Sequence, residues 1–301
     1  MKNSVAFNKF FLCCLLMGFL FFKANGQLMS KPFIIYYDSQ RYTQTLQQEL
    51  DLKPSFKKYN LMLEYQIDPN KTGSIDKDIF LKNLKNFFPN TSSEGVLCID
   101  LENKVFDDLI KFDESTIEFK RAKETFIWMI KRSKIMFPNV RVGIYGLPLR
   151  DYYFKTIKDY RKFDSILVLT DIIFPSLYTM YPDSQFGRVR NEKYLKDNLV
   201  IALELGIRLN KPVIPFVWNV VHPSNKKYGG KLIDANEMIK NVVFIKEFRF
   251  KDNVVEGVVW WDPDYKSFNK LVKSSYNLDN NHKEVQTSLF EGFIKDFSMI
   301  R

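Results

Sequence analysis

Four consecutive apolar residues, Val96, Leu97, Cys98 and Ile99, run directly into Asp100 and, two positions on, Glu102. A short apolar run without alternation belongs to a strand buried on both faces, the pattern of a parallel sheet covered by helices. Side chains alternate along a strand, so Asp100 and Glu102 share one face, roughly 7 Å apart. Acidic residues at the C-terminal end of such a strand occupy the position where (β/α) enzymes place their chemistry. Paired, partly desolvated carboxylates raise the pKa of one member and give a proton donor usable near neutral pH. The same two acids are also compatible with capping of the following helix.

The rest of the chain repeats this strand-then-helix rhythm. Phe33–Tyr37 and Leu61–Ile67 read as the first two strands, with Gln-rich helical sequence between them. Ile75–Phe88 has helical apolar spacing through Ile79, Phe80, Leu84 and Phe87. After the acidic strand, Ser115–Met136 reads as a long amphipathic helix and Arg141–Tyr145 as the fourth strand. The fifth strand is placed at Asp171–Tyr178, with Ile166–Leu169 competing for that assignment. Asn191–Asn210 is helical, Pro212–Trp218 is strand six, Asp234–Phe248 is helical and Val254–Trp261 is the last strand. This alternation predicts an α/β fold: a single, distorted (β/α) TIM-like barrel of about seven parallel strands. No Gly-rich dinucleotide fingerprint follows the first strand, which weighs against an open doubly wound sheet.

Domain organisation follows from length and from the N-terminus. The chain has 301 residues, of which 46% are hydrophobic, and it carries no low-complexity segment or internal repeat, so one domain over residues 27–301 is expected. Lys2 and Lys9 precede an apolar run from Phe10 to Phe22, and Ala24, Asn25 and Gly26 supply small residues ahead of Gln27. Residues 1–26 therefore read as a cleavable export signal, too short to span a bilayer, and place the mature protein in a periplasm or outside the cell with no stable membrane anchor. Cleavage would remove Lys2, Lys9 and Lys23 and no acidic residue, lowering the net charge from +10 to about +7. Cys98 would then be the only cysteine, so no intramolecular disulfide could form. The positive charge suits an anionic polymer, but its residues are scattered and no nucleic-acid motif is present.

Aromatic residues gather at the strand ends. Strand four ends at Tyr145 and is followed by Tyr152, strand five ends at Tyr178, strand six at Trp218 and the last at Trp261. Aromatic faces stack on the apolar faces of pyranose rings while their polar tips meet hydroxyls, so this ring of side chains predicts a sugar-binding cleft. Other signals carry less. Asp68 to Ile75 imitates the start of a calcium loop, but Ile79 stands where a bidentate Glu is required. Cys98, inside an apolar strand, reads as an inert buried thiol, and His222 and His282 have no ligand spacing, so neither a metal nor a cofactor is expected. Asn90, Thr91 and Ser92 fit a glycosylation sequon.

In this order, Gly95 to Glu102, Tyr145 to Pro148, Phe174 to Tyr178, Pro212 to Val217 and Gly257 to Trp261, the motifs resemble those of the hyaluronidases of glycoside hydrolase family 56. The resemblance runs from about Tyr59 to Trp261. It implies a distorted (β/α) barrel and hydrolysis of β-linked N-acetylhexosamine bonds in an acidic glycosaminoglycan-like polysaccharide. It also implies that Glu102 is the single acid/base and that Asp100 orients the substrate's acetamido group, whose oxygen is the nucleophile in a substrate-assisted retaining reaction. Tyr178 matches a tyrosine touching the acetamido group, Trp261 a tryptophan lining the sugar site, and Tyr152 a second cleft tyrosine. The family's Trp-Arg-Pro after the glutamate is replaced by Asn103, Lys104 and Val105, and its disulfide cysteines are absent. Two alternatives stay open: a two-carboxylate glycosidase using Asp262 or Asp264 as the second group, and a catalytically inactive glycan-binding barrel.

Overall fold

The computed structural model describes residues 32–153, 160–263 and 282–298; the expected export segment and Asp264 lie outside them. Among the described residues there are eight strands, with helices between all of them except β2 and β3: β1 (Ile34–Tyr37), β2 (Phe56–Lys58), β3 (Asn60–Leu63), β4 (Gly95–Asp100), β5 (Val140–Tyr145), β6 (Ile172–Phe174), β7 (Phe216–Val217) and β8 (Gly257–Trp260). The helices are α1 (Gln44–Asp51), α2 (Lys77–Phe87), α3 (Lys104–Lys111), α4 (Ile117–Met136), α5 (Asp164–Leu167), α6 (Asp183–Phe186), α7 (Arg188–Leu209), α8 (Ala235–Glu247) and α9 (His282–Ser298).

The strands form two four-stranded, wholly parallel sheets, in the orders β2-β1-β8-β7 and β3-β4-β5-β6. Two seams link them. β2 pairs with β1 and β3 pairs with β4, and only Tyr59 separates β2 from β3, so one extended segment edges both sheets. On the other side, parallel bridges join Ile173 to Val213 and Ser176 to Phe216. Strand six is expected over Pro212–Trp218 and is regular only at Phe216–Val217, because Pro212 and Pro215 have no N–H to give a ladder. Strand two differs as well: it stops at Leu63, and Glu64–Gln66 turn into a 3-10 helix. Ile166–Leu167 belong to α5, which resolves the competition for strand five in favour of the segment containing β6.

Local chemistry sets the helix ends. The Asp76 side chain accepts from the backbone N–H groups of Asp78 and Ile79 to start α2, and Thr116 accepts from Phe119 to start α4. Asn210, at φ 53°, closes α7 in the left-handed region, its N–H reaching the carbonyls of Gly206 and Ile207.

Strand alternation divides the core in two. Ile34, Tyr36, Leu61, Val96, Cys98, Tyr145, Phe174, Phe216 and Val259 form one buried cluster drawn from both sheets. Ile35, Tyr37, Met62, Leu97, Ile99, Val142, Ile144 and Val258 pack the opposite faces against helical residues such as Leu84, Phe119 and Val242. At the N-terminal end of the strands, Arg141 donates two hydrogen bonds to Glu256 (2.7 and 3.1 Å), and Tyr36 donates a third (2.6 Å), tying β1, β5 and the approach to β8 together. The other end carries the polar and aromatic strand termini.

Candidate active site

Val96 and Cys98 face the inter-sheet cluster while Leu97, Ile99 and Leu101 face the helices, so the alternation carries Asp100 and Glu102 onto the inter-sheet side. Asp100 is half-buried, but its Oδ1 is sealed from solvent and has no hydrogen-bond partner among the described residues. Burial, then the charges of Glu102 and Glu64, hold the Asp100 carboxyl well above the usual carboxylate range. Glu102 reaches solvent at the rim of the cleft. Its carboxyl is also raised, by desolvation against the cleft wall and by Glu64, while Arg150 pulls it down. Two such acids hold one proton between them more readily than either would alone.

Glu64 and Arg150 are site residues that the sequence reading overlooks. Leu63 pairs with Asp100 across β3 and β4, so Glu64 leaves the neighbouring strand beside the acidic pair. Its signal was present, an acid at the end of the apolar run Leu61 to Leu63, but drawing strand two through to Ile67 hides it. Arg150 follows β5 in the loop after Pro148. Its guanidinium donates to Ser176 Oγ (2.6 Å) and His222 Nε2 (2.7 Å), bonds to Tyr145, and lies 5.5 Å from the Tyr178 ring centre. A guanidinium only donates, so His222 Nε2 accepts, while Nδ1 lies 2.7 Å from Ser224 Oγ and 3.2 Å from the Ser224 backbone N. Burial and Arg150 push His222 down to about 4, so it stays neutral.

The aromatic strand ends do come together. Tyr178 stands 6.2 Å from Tyr145, 5.8 Å from Trp218 and 5.6 Å from Trp261, measured between ring centres. Trp261 is half-buried, whereas Trp218 is 2% exposed and buttresses it edge-on at 4.6 Å. Tyr145 and Tyr178 are buried and share a hydrogen bond. Tyr152 sits apart, packed on Tyr181 and Tyr194, with its hydroxyl on Asn191 Oδ1 (2.8 Å). A cavity of about 340 Å³ joins the two groups, walled by Glu102, Tyr145, Arg150, Tyr152 and Met180. A larger cavity of about 530 Å³ beyond Leu149 is lined by Asp113, Glu114 and Lys162, whose Nζ is engaged by the carbonyl of Ile110 (2.7 Å). Of the two raised acids, Glu102 lines the smaller one.

The remaining candidates fall outside the cleft chemistry. Asp262 is 4% exposed, and its Oδ2 accepts from Tyr42 Oη and Trp260 Nε1. Asp68 accepts from the N–H groups of Thr72 and Gly73 (2.8 Å each) and from Asn103, so it closes a turn instead of facing an ion. Asn103, where the Trp-Arg-Pro segment is expected, caps α3 by accepting from Val105 (2.9 Å). Cys98 is buried and free, its thiol pushed up by desolvation and by Asp100.

No protein-family model matches the sequence, and no curated protein matches it. Solved structures do. A monoclinic crystal structure of bee venom hyaluronidase superposes with a TM-score of 0.60 at 12% identity, covering 88% of this chain and 97% of that one. The same bee venom enzyme in complex with a hyaluronic acid tetramer gives a TM-score of 0.58 at 14% identity, covering 86% and 95%. The chain therefore has a hyaluronidase-like α/β fold.

Proposed function

We propose that this protein is an exported glycoside hydrolase that cleaves β-linked N-acetylhexosamine bonds in an acidic, hyaluronan- or chondroitin-like polysaccharide. The observation that carries the reading is the pairing of the half-buried Asp100 with Glu102 on one side of the C-terminal end of β4, both carboxyls held above their ordinary range, beside the aromatic strand ends Tyr145, Tyr178 and Trp261.

Glu102, protonated, gives its proton to the leaving glycosidic oxygen as the C1–O bond breaks. The acetamido oxygen attacks C1 from the opposite face, and Asp100 accepts the acetamido N–H and offsets the positive charge that develops on the ring formed. Glu102, now a carboxylate, takes a proton from water, which attacks C1 and restores the acetamido group with retained configuration. Tyr178 and Tyr145 line the acetamido side, Trp261 offers a stacking face supported by Trp218, and Tyr152 walls the adjoining pocket. No cofactor enters these steps. The two linked sheets are read as halves of one distorted barrel of about seven strands. The complex of bee venom hyaluronidase with a hyaluronic acid tetramer supports the choice of substrate.

Reducing-end release from hyaluronan and chondroitin, followed from about pH 3.5 to about pH 8, tests this reading. Glu102→Gln is expected to lower the rate by about 10² to 10⁴. Removing the polymer's acetyl groups is expected to abolish turnover. Unchanged activity in the variant, or full activity on the deacetylated polymer, refutes the mechanism.

A further inference from the structure

Glu237 is a buried carboxyl that the reaction above does not use. It lies in the first turn of α8, 8% exposed, and its Oε1 accepts the Asp183 N–H at 3.0 Å. From there a chain of hydrogen bonds runs to the cleft. Asn191 Nδ2 donates to Asp183 Oδ1 (2.8 Å), and Tyr152 Oη donates to Asn191 Oδ1 (2.8 Å). One turn further along α8, Asn241 donates to Thr179 Oγ1 (3.3 Å) and accepts from Arg188 (2.6 Å). Through Glu237 and Asn241, α8 therefore holds segment 179–187 at its start, in its middle and just beyond its end. That segment is one wall of the cleft. Met180 lines the 340 Å³ cavity, and Tyr181 and Phe186 pack on Tyr152 with ring centres 4.5 and 5.9 Å away.

The surroundings of Glu237 disfavour its ionised form. Burial, and after it the charges of Asp183 on α6 and Asp234 at the start of α8, raise its carboxyl to about 7, while the Asp183 N–H and Arg188 on α7 pull the other way. Arg188 is shared with Glu192, which accepts from its Nε at 2.8 Å. A carboxyl whose value in the packed arrangement exceeds the 4.5 of a hydrated one binds its proton more tightly when packed. Linkage then sets the sign. The packed arrangement is most favoured below the hydrated value of 4.5, loses ground as pH rises, and has lost all of that advantage once pH has passed through about 7.

We propose that Glu237 is a pH-sensitive positioning residue: protonated, it holds segment 179–187 against α8 and keeps the wall at Met180 and Tyr152 formed, and on ionisation it releases that wall to water. Substrate that needs the wall is then bound more weakly as Glu237 loses its proton. This effect on substrate rests on the glycosidase reading above; the release of the segment does not.

The test follows hydrogen exchange of segment 179–187 by mass spectrometry in the whole chain and in Glu237→Gln, corrected for the intrinsic exchange rate, alongside KM and kcat on hyaluronan. Gln keeps an acceptor for the Asp183 N–H and cannot ionise. Wild-type protection is expected to fall by about tenfold between about pH 5 and about pH 7 and then level off, while that of the variant stays flat. Over the same range the ratio of wild-type to variant KM should rise several-fold at an unchanged ratio of kcat. Wild-type protection that is independent of pH refutes the proposal without reference to the variant, and an equal fall in both proteins refutes it by assigning the titration elsewhere. A flat KM ratio beside the expected fall in protection overturns the positioning role. Absence of turnover removes the glycosidase reading and the effect on substrate together, and the exchange result still decides whether Glu237 holds the segment.

Discussion

Asp262 gives a quantitative handle on how the strand ends are built. Its carboxyl is buried directly after β8, and desolvation raises it from 3.8 to about 7, against the pull of the hydrogen bonds from Tyr42 and Trp260. An acid whose folded pKa lies above its unfolded one binds its proton more tightly in the native state. Its favourable contribution is complete below the unfolded pKa and is lost as pH rises through the folded one. Taking 3.8 unfolded and about 7 folded, the loss grows by about 2.5 kcal/mol between pH 5 and pH 8 and levels off near 4 kcal/mol. Asp262→Asn keeps an oxygen for Tyr42 and Trp260 and removes the titration. Urea unfolding of both proteins at a series of pH values should therefore show the Asn variant gaining relative to wild type by about that amount as pH rises. Parallel stability curves, or a difference that widens towards acid, would refute the burial argument. The same variant should keep glycosidase activity; a folded but inactive Asp262→Asn would instead revive Asp262 as a second catalytic carboxylate.

Two further substitutions test the frame that holds the site. A Cβ on Gly143 would lie 2.5 Å from the Phe174 ring and 2.7 Å from the Ile172 carbonyl, between β5 and β6. Gly143→Ala should therefore destabilise by about 1–3 kcal/mol, read as a lower urea midpoint at unchanged slope. Glu256 is held below its ordinary range: desolvation opposes this, but the hydrogen bonds from Arg141 and Tyr36 outweigh it. Its stabilising contribution is present above the unfolded pKa near 4.5 and disappears as pH falls through the folded value. Glu256→Gln should cost about 1 kcal/mol at neutral pH, limited by partial exposure of the pair, and nothing in strong acid; thermal unfolding across that range checks the sign.

Much of this molecule was readable from one-dimensional pattern. The run Val96 to Ile99 can only be satisfied by a strand covered on both faces, and period-two alternation then fixes Asp100 and Glu102 on the same side as Val96 and Cys98. Strong local signals likewise located α2, α4 and α7, because caps and apolar spacing are properties of neighbouring residues. Weak local signals failed where distant partners decide: β2 was not anticipated, since Phe56, Lys57 and Lys58 are strand only through pairing with β1, and α3 and α9 were passed over. The sequence by itself determined the alternating α/β architecture, the acidic pair and the identity of the aromatic strand ends. Only the tertiary structure decided that Glu64 joins the acids, that Arg150 reaches Ser176 and His222 across 26 and 72 residues, and that Asp262 turns away into the core. Those relations depend on strand register and loop path, which are set by contacts between residues far apart in the chain and leave no periodic trace along it.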